Sequence, residues 1–276
     1  MIELFEQDIR TNDRQSSKGN QLKWENEGMW YKADYAGYEG LAEYMISHLM
    51  EQSSLSPSEY VLYNPEQIKY KSNIYCGVKS RSFLQKDWQI ITLERLFKNF
   101  SGESLYKSTY KIGSHEERMI FLVEQMERIT GLTEFGKYLN KLFTIDALFL
   151  NEDRHMHNIA VLMNGKGEFA YCPIFDNGAG LLSDTTMDYP MNDDIYQLMD
   201  NVKSKTICSD FDEQLDISES LYGENIQFWF SEKDVQHLLE KADIYPEQQK
   251  NRVETIMRMQ MRKYQYLFVV DRKKGL

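Results

Sequence analysis

Residues 146–180, DALFLNEDRHMHNIAVLMNGKGEFAYCPIFDNGAG, decide the fold that we predict for this chain. Two apolar runs in this stretch flank the sequence NGKG at residues 164–167. Asn and Gly tolerate the positive φ that tight turns require, so the pattern predicts an antiparallel hairpin. A hairpin brings its open ends together. We therefore expect Asn158 at the entry and Asp176 at the exit to lie within reach of one ion.

The polar residues around this hairpin have the order that phosphoryl transfer from a nucleotide requires. Asp153 precedes Asn158 by five positions, and Asp176 follows the hairpin. Transfer needs hard oxygen ligands for Mg²⁺ and a carboxylate beside the attacking hydroxyl. In protein kinases an Asp, an Asn five positions later and an Asp after a hairpin fill these roles. The pattern predicts Asp153 as the base and Asn158 and Asp176 as metal ligands.

The same residues carry a resemblance to a known family. The segments DRHMHNIAVL and PIFDNGAGL resemble the catalytic and metal-binding segments of HipA-like serine/threonine kinases, including the CtkA-type branch. The order Asp-Arg-His-x-x-Asn is also similar to that of phosphatidylinositol kinases. The resemblance implies an α+β, two-lobed protein-kinase-like fold. Its ATP-binding lobe, with a small antiparallel sheet, would span residues 1–85, and its mainly helical catalytic lobe residues 86–276.

Lys32 and Glu43 are the predicted ion pair of the first lobe. Alternating residues on either side of the turn at 26–28 predict a strand hairpin whose second strand carries Lys32. The resemblance implies that Lys32 contacts the α and β phosphates of ATP and that Glu43, on a helix predicted over residues 39–52, steadies it. A solvated strand lysine and a solvated helix glutamate are the alternatives, and Glu39 competes with Glu43.

Ser16, Ser17 and Gly19 precede the first strand of this hairpin, where kinases have a loop that covers the phosphates. Small residues allow backbone N–H groups to approach phosphate oxygens. The segment has no GxGxxG motif, and a flexible surface turn explains it equally well. The family resemblance implies autophosphorylation in this loop, with Ser16 and Ser17 as candidate sites.

Cys76 and Val78 lie where the resemblance places the kinase hinge. Three short apolar runs between residues 61 and 78 read as strands, which with the first hairpin predict a five-stranded antiparallel sheet. Residues 77–80 would leave this sheet toward the second lobe. Their backbone groups, rather than particular side chains, would contact the adenine of ATP.

Arg154 and His155 lie inside the predicted catalytic loop and are candidates to shape it or to hold the substrate hydroxyl and phosphate. His155 and His157 also form an H-x-H pair, which suggests a metal hydrolase. A zinc site needs further ligands, and His48 and His115 lie in predicted helices. The pattern therefore favours the kinase interpretation.

Composition limits the partners of the chain. Its 276 residues carry a net charge of −11, so there is no basic surplus for direct nucleic-acid binding. The three cysteines have no paired spacing, which is typical of a reducing compartment. The acidic start has no signal-peptide core, and no run is long enough to span a membrane. We expect a cytoplasmic protein.

These features predict ATP- and Mg²⁺-dependent transfer of the γ-phosphate to a Ser or Thr hydroxyl of a protein, including the chain itself. The alternative is a nucleotide-binding pseudokinase or a partner-binding regulatory subunit of a toxin–antitoxin-like system. Competent residues at Asp153, Asn158, Asp176 and Lys32 favour an active enzyme. HipA toxins carry an additional N-terminal subdomain for which this chain has no room. A separately encoded subunit or antitoxin could supply it.

Overall fold

The computed structural model describes residues 1–10 and 21–269, which form an α+β fold. The described residues form these strands: β1 (Ile2–Leu4), β2 (Lys23–Asn26), β3 (Met29–Ala33), β4 (Asn64–Pro65), β5 (Ile68–Tyr70), β6 (Asn73–Tyr75), β7 (Gly77–Arg81), β8 (Trp88–Thr92), β9 (Ala160–Asn164) and β10 (Phe169–Tyr171). They form these helices: α1 (Glu39–Met50), α2 (Leu93–Ser101), α3 (Leu105–Tyr110), α4 (His115–Thr130), α5 (Phe135–Phe149), α6 (Ile195–Asn201), α7 (Phe211–Tyr222), α8 (Glu232–Lys241) and α9 (Glu247–Lys263). The predicted phosphate-covering residues Ser16, Ser17 and Gly19 lie outside the described residues.

The hairpin of β2 and β3 positions Lys32. Glu27 and Gly28 have φ values of 50° and 78°, which suit a tight two-residue turn. Side chains alternate along β3, so Tyr31 packs with Trp24 in a small apolar cluster on one face of the sheet. Lys32 therefore projects from the opposite face, where it meets α1.

The prediction of one five-stranded antiparallel sheet is wrong. The order of the first sheet is β2-β3-β7-β4, whereas β5 and β6 join β1 in a separate sheet of order β1-β5-β6. β1 runs parallel to β5. Residues 61–63 form no strand in the described structure, because the Val61 N–H donates to the carbonyl of Ile174 in another part of the chain.

The hairpin predicted after the candidate catalytic loop is present. β9 and β10 pair antiparallel, with Met163 opposite Phe169. β8 pairs with the other edge of β9, which gives a third sheet of order β10-β9-β8. Residues 82–87 connect β7 in the first sheet to β8 in this one, and the predicted lobe boundary falls within this connection.

α5 leads the chain into the predicted catalytic loop. Apolar residues face both sides of this helix, and most of its length is buried. Such a helix is expected inside a core rather than on a surface. The helix ends where Leu150 adopts a φ of 54°, which turns the chain toward Asp153. Within the described ranges, no helix is long and apolar enough to cross a membrane.

Candidate active site

A cleft of about 700 Å³ brings together four of the predicted site residues. Its walls come from β2, α1 and β8, from the loop after α5 and from the loop after β10. Asp153, Asn158, Asp176 and Glu43 all line it. Small-molecule sites of proteins have volumes of roughly 300–1,000 Å³, so the cleft is large enough for a nucleotide.

Asn158 fixes the predicted base. Its amide nitrogen donates to the backbone carbonyl of Asp153 at 2.7 Å and to Oδ2 of the Asp153 carboxylate at 2.8 Å. The Asn158 backbone N–H also closes a turn onto the carbonyl of His155 at 2.7 Å. These bonds hold the Asp153 carboxylate at the cleft and leave the amide oxygen of Asn158 as a ligand atom.

Lys32 joins the two halves of the cleft. Its Nζ lies 2.5 Å from Oε1 of Glu43 and 2.7 Å from Oδ1 of Asp176. The predicted pairing with Glu43 is therefore present, and the second bond to Asp176 was not predicted. Glu43 Oε2 also accepts from the backbone N–H of Asn177 at 3.0 Å. Glu39 accepts from backbone N–H groups ahead of α1 instead, so it does not compete for Lys32.

Burial and the neighbouring charges together determine the protonation states of Lys32 and Asp176. Burial alone would raise the pKa of Asp176, but Lys23, Lys32 and Arg154 together hold it well below its usual range. Burial alone would lower the pKa of Lys32, but the carboxylates of Asp176 and Glu43 raise it well above its usual range. At neutral pH Asp176 is therefore an anion and Lys32 a cation. The Asp176 side chain is 36% exposed, which opens it to the cleft.

Arg154 is a buried residue that does not line the cleft, and of the two roles predicted for it, shaping the loop is the one that its contacts fit. Its side chain is 3% exposed. Nε lies 3.1 Å from both carboxylate oxygens of Asp146, and Nη2 donates to Oδ1 of Asn177 at 2.6 Å. Nη1 donates to the carbonyl of Phe175 at 3.2 Å. Asp146 is also buried, so it holds the loop from inside the core rather than from the protein surface.

His155 and His157 lie beside Asp153. Nε2 of His155 is 3.6 Å from Oδ1 of Asp153, and burial lowers the pKa of His155. His157 is exposed at the cleft and donates its backbone N–H to Nδ1 of His155. Within the described ranges, the group with metal-ligand geometry is His115, Cys208 and Glu213. Neither histidine of the H-x-H pair belongs to it, so the predicted zinc-hydrolase alternative has no ligand set here.

The hinge prediction for Cys76 and Val78 is contradicted by strand pairing. Val78 lies in β7, where its neighbours are Lys32 on one side and Pro65 on the other. Its side chain is buried, and Cys76 donates its thiol to the carbonyl of Ile244 at 3.3 Å. A strand paired on both edges has few free backbone groups for an adenine. Neither residue lines the cleft.

Lys23 is a cleft residue that the sequence interpretation missed. It lies directly opposite Lys32 in the β2–β3 pair, so both side chains project from the same face. The sequence could have predicted this position, because a two-residue turn at 27 and 28 places Lys23 opposite Lys32. Gln89, Ile90 and Arg95 also line the cleft, and no sequence motif marks them.

Comparisons with known proteins agree with this architecture. The sequence matches no protein-family model and no curated protein. Among solved structures, the chain is similar to the proinflammatory kinase CtkA of Helicobacter pylori, with a TM-score of 0.63, 15% identity and 96% of each chain covered. It is also similar to a chain of the toxin–antitoxin complex of HipA, HipB and operator DNA from Shewanella oneidensis MR-1. That TM-score is 0.50 and the identity 12%, over 92% of this chain and 66% of the other.

The fold is therefore kinase-like, with small antiparallel sheets and a helical part, as the sequence predicted. Within that class, the chain shares the fold of the HipA-like kinases, of which CtkA and HipA are the solved examples named above. At these identities the similarity establishes the fold. The chemistry is argued from the cleft itself.

Proposed function

We propose that this chain is an ATP- and Mg²⁺-dependent phosphotransferase that transfers the γ-phosphoryl group to a Ser or Thr hydroxyl of a protein. One observation carries the proposal. Asp153, Asn158 and Asp176, from two different loops, line a single cleft with Glu43, and the buried Lys32 bridges Glu43 and Asp176 at its wall. Phosphoryl transfer needs positioning and charge neutralisation rather than a covalent catalyst, and this group of side chains can supply both.

The residues present fit a magnesium ion. Asp176 is an ionised carboxylate at neutral pH. The amide nitrogen of Asn158 is engaged by Asp153, so its oxygen is the atom that can face a cation. Carboxylate and amide oxygens are hard ligands of the kind that Mg²⁺ takes. When bound, the ion would neutralise charge on the β and γ phosphates.

Two lysines supply local positive charge in an acidic chain. Lys23 and Lys32 lie opposite each other on the hairpin above the cleft. Lys32 is held between two carboxylates, which fixes its position. We assign both ammonium groups to the phosphates of ATP. A lysine whose position is fixed before binding loses less conformational entropy when ATP binds, which favours affinity.

Asp153 is the residue that would receive the proton of the acceptor hydroxyl. As the hydroxyl oxygen bonds to the γ-phosphorus, the bond from that phosphorus to the oxygen of the ADP leaving group breaks. The proton passes to the Asp153 carboxylate, which Asn158 holds through two hydrogen bonds. Arg154 contributes through Asp146 and Asn177, because it fixes the loops that carry Asp153 and Asp176.

The test is incubation of the purified protein with ATP and Mg²⁺, with and without EDTA, in the presence of a mixture of Ser- and Thr-containing proteins. Intact-mass and peptide mass spectrometry would locate any added phosphate, including on Ser16 and Ser17. We expect EDTA and Asp153→Asn to abolish transfer, while Asp153→Asn keeps ATP affinity measured by calorimetry. Asp193→Asn, at an exposed carboxylate, is the matched control.

Three outcomes of this experiment separate the alternatives. Phosphate transfer that is lost in Asp153→Asn supports the proposal. ATP binding without transfer to any protein would favour the nucleotide-binding pseudokinase. Absence of ATP binding in the wild-type protein would overturn the assignment of the cleft.

A further inference from the structure

A second cavity, of about 590 Å³, opens beside the catalytic loop. Its lining includes Tyr110, Arg118, His155, His157 and Lys205. His157 also lines the first cleft, next to Asp153, so the two cavities adjoin at the predicted base. The proposed transfer does not use this cavity for ATP, since Glu43 and Asp176, the two partners of Lys32, line the first cleft.

We infer that this second cavity binds an anionic group of the protein acceptor, a carboxylate or a phosphate close in sequence to the Ser or Thr that receives the phosphoryl group. The inference rests on the proposed function and names the acceptor class that the same site would select. Its basis is the charge of the lining, the fixed position of Arg118 and the connection of the cavity to the predicted catalytic loop.

The charge of the lining is opposite to that of the chain. The protein has a net charge of −11. None of the described residues that line the cavity is Asp or Glu, whereas Arg118, Lys205 and three histidines line it. Carboxylates lie just outside it: Glu213 pairs with His115, Asp153 lies near His155, and Asp210 lies near Cys208. The positive charge of the lining would attract an anionic segment of the acceptor and repel a cationic one.

Arg118 is held in place by contacts that leave its charge uncompensated. Nε donates to the carbonyl of Ile112 at 2.8 Å, and Nη1 donates to the carbonyl of Ile207 at 3.2 Å. The guanidinium lies 4.7 Å from the centre of the Tyr110 ring. In the part of the chain that the structure describes, neither Arg118 nor Lys205 forms an ion pair with a carboxylate. A fixed guanidinium without a carboxylate partner is suited to bind a carboxylate or phosphate.

The walls of the cavity are fastened to the catalytic loop. The Thr206 hydroxyl donates to the backbone carbonyl of Arg154, next to Asp153. The Tyr110 hydroxyl donates to the carbonyl of Thr206 at 3.3 Å. An anion held by Lys205 and Arg118 would therefore be placed at a constant position relative to the base. A fixed distance of this kind selects acceptors in which the charge and the hydroxyl have a matching spacing.

A metal is a weaker occupant for the same space. His115, Cys208 and Glu213 offer ligand atoms within 4.8 Å of one another. Two of these residues line the second cavity together with Arg118 and Lys205. Two permanent cations beside the site would repel a divalent ion and attract an anion.

The experiment has a binding arm and a transfer arm, both on the full chain. In the binding arm, fluorescence anisotropy measures the affinity of a labelled peptide in which Ala replaces the acceptor Ser and Glu residues flank it. Matched peptides carry Gln, Lys or phosphoserine in place of Glu. In the transfer arm, the same peptides with Ser restored are compared by kcat/KM. The phosphoserine peptide distinguishes a phosphate site from a carboxylate site.

Lys205→Glu is the diagnostic variant, because Lys205 is exposed and its replacement leaves the core intact. Lys203→Glu makes the same charge change two positions away, at an exposed residue that does not line the cavity. We expect the wild type and Lys203→Glu to favour anionic peptides over the Gln peptide by about tenfold. We expect Lys205→Glu to lose that preference and to favour the Lys peptide.

The binding arm and the transfer arm test the anion site and the proposed transfer independently. Equal affinity of the wild type for all four peptides, or the same preference in Lys205→Glu, would overturn the anion site even if the protein is an active kinase. Anion-selective binding that depends on Lys205, without transfer to any peptide, would support the anion site and count against the proposed transfer.

Discussion

The Arg154 guanidinium lies 3.1 Å from both carboxylate oxygens of Asp146, and both side chains are buried. Asp146 belongs to α5, and Arg154 follows Asp153 in the predicted catalytic loop. The same guanidinium bonds to Asn177, which follows Asp176. One buried cation thus fixes the spacing between the predicted base and the predicted metal ligand.

Asp146→Asn should destabilise the fold and slow transfer. The amide cannot neutralise Arg154, and an unpaired buried charge costs about 3 kcal/mol of unfolding free energy or more. Urea denaturation measures this loss. Glu6→Gln is the control, because the Glu6–Lys71 pair is solvent-exposed and its loss should change stability little. Equal losses in the two variants would mean that the Asp146–Arg154 pair has no special role.

The sequence was most informative where structure is local. The β9–β10 hairpin was predicted from its turn residues, and helix α1 from its apolar stripe. The N-terminus of α4 is also fixed locally, because the Ser114 hydroxyl accepts from the backbone N–H of Glu117. In each case the residues that decide the structure lie within a few positions of one another.

Long-range pairing could not be read in the same way. β1 joins β5 across more than sixty positions, and nothing in residues 2–4 specifies that partner. The hinge assignment failed for this reason, because residues 77–81 are an inner strand only once β4 has paired with them.

For the candidate site, the motif led to Lys32, Glu43 and Asp176, and the structure brings these together. The second cavity had no sequence signal. Tyr110, Arg118 and Lys205 come from separate parts of the chain, and only folding places them around the catalytic loop.

Lys32→Met should weaken ATP binding and lower the transfer rate, each by about tenfold or more. The substitution removes the cation between Glu43 and Asp176, which leaves two neighbouring carboxylates without their shared partner. Calorimetry and steady-state kinetics measure the two effects. Lys69→Met, at a half-exposed lysine of β5 that does not line the cleft, is the matched control. Wild-type affinity in Lys32→Met would remove Lys32 from the nucleotide site.

Asp176→Ala should abolish the magnesium dependence of ATP binding. The wild type should bind ATP more tightly with Mg²⁺ than with EDTA, by about tenfold or more, because an anionic carboxylate holds the ion against the phosphates. The variant should show similar affinities in both conditions. Asp193→Ala, at an exposed position outside the cleft, should retain the difference. A magnesium effect that persists in Asp176→Ala would place the metal elsewhere.

Asp34, just after β3, should make the stability of the fold depend on pH. Its Oδ1 accepts from the backbone N–H of Gly40 at 2.6 Å, at the start of α1. Burial first, and then the charge of Glu39, raise the pKa of Asp34 from 3.8 to about 8. Between these two values the unfolded chain loses this proton while the folded chain keeps it. The contribution of Asp34 to the unfolding free energy therefore falls as pH rises through this window and is constant above it.

Asp34→Asn isolates this effect, since the amide cannot ionise and still offers an oxygen to the Gly40 N–H. The variant should gain stability relative to the wild type as pH rises, by about 1 kcal/mol or more between pH 5 and pH 8.5. Urea denaturation of both proteins at several pH values measures the difference, with Asp193→Asn as the control for replacing a carboxylate by an amide. A difference that stays constant across this range would show that Asp34 ionises normally in the folded protein. A gain that grows with pH would show that burying Asp34 against α1, the helix that carries Glu43, costs the fold stability at neutral pH.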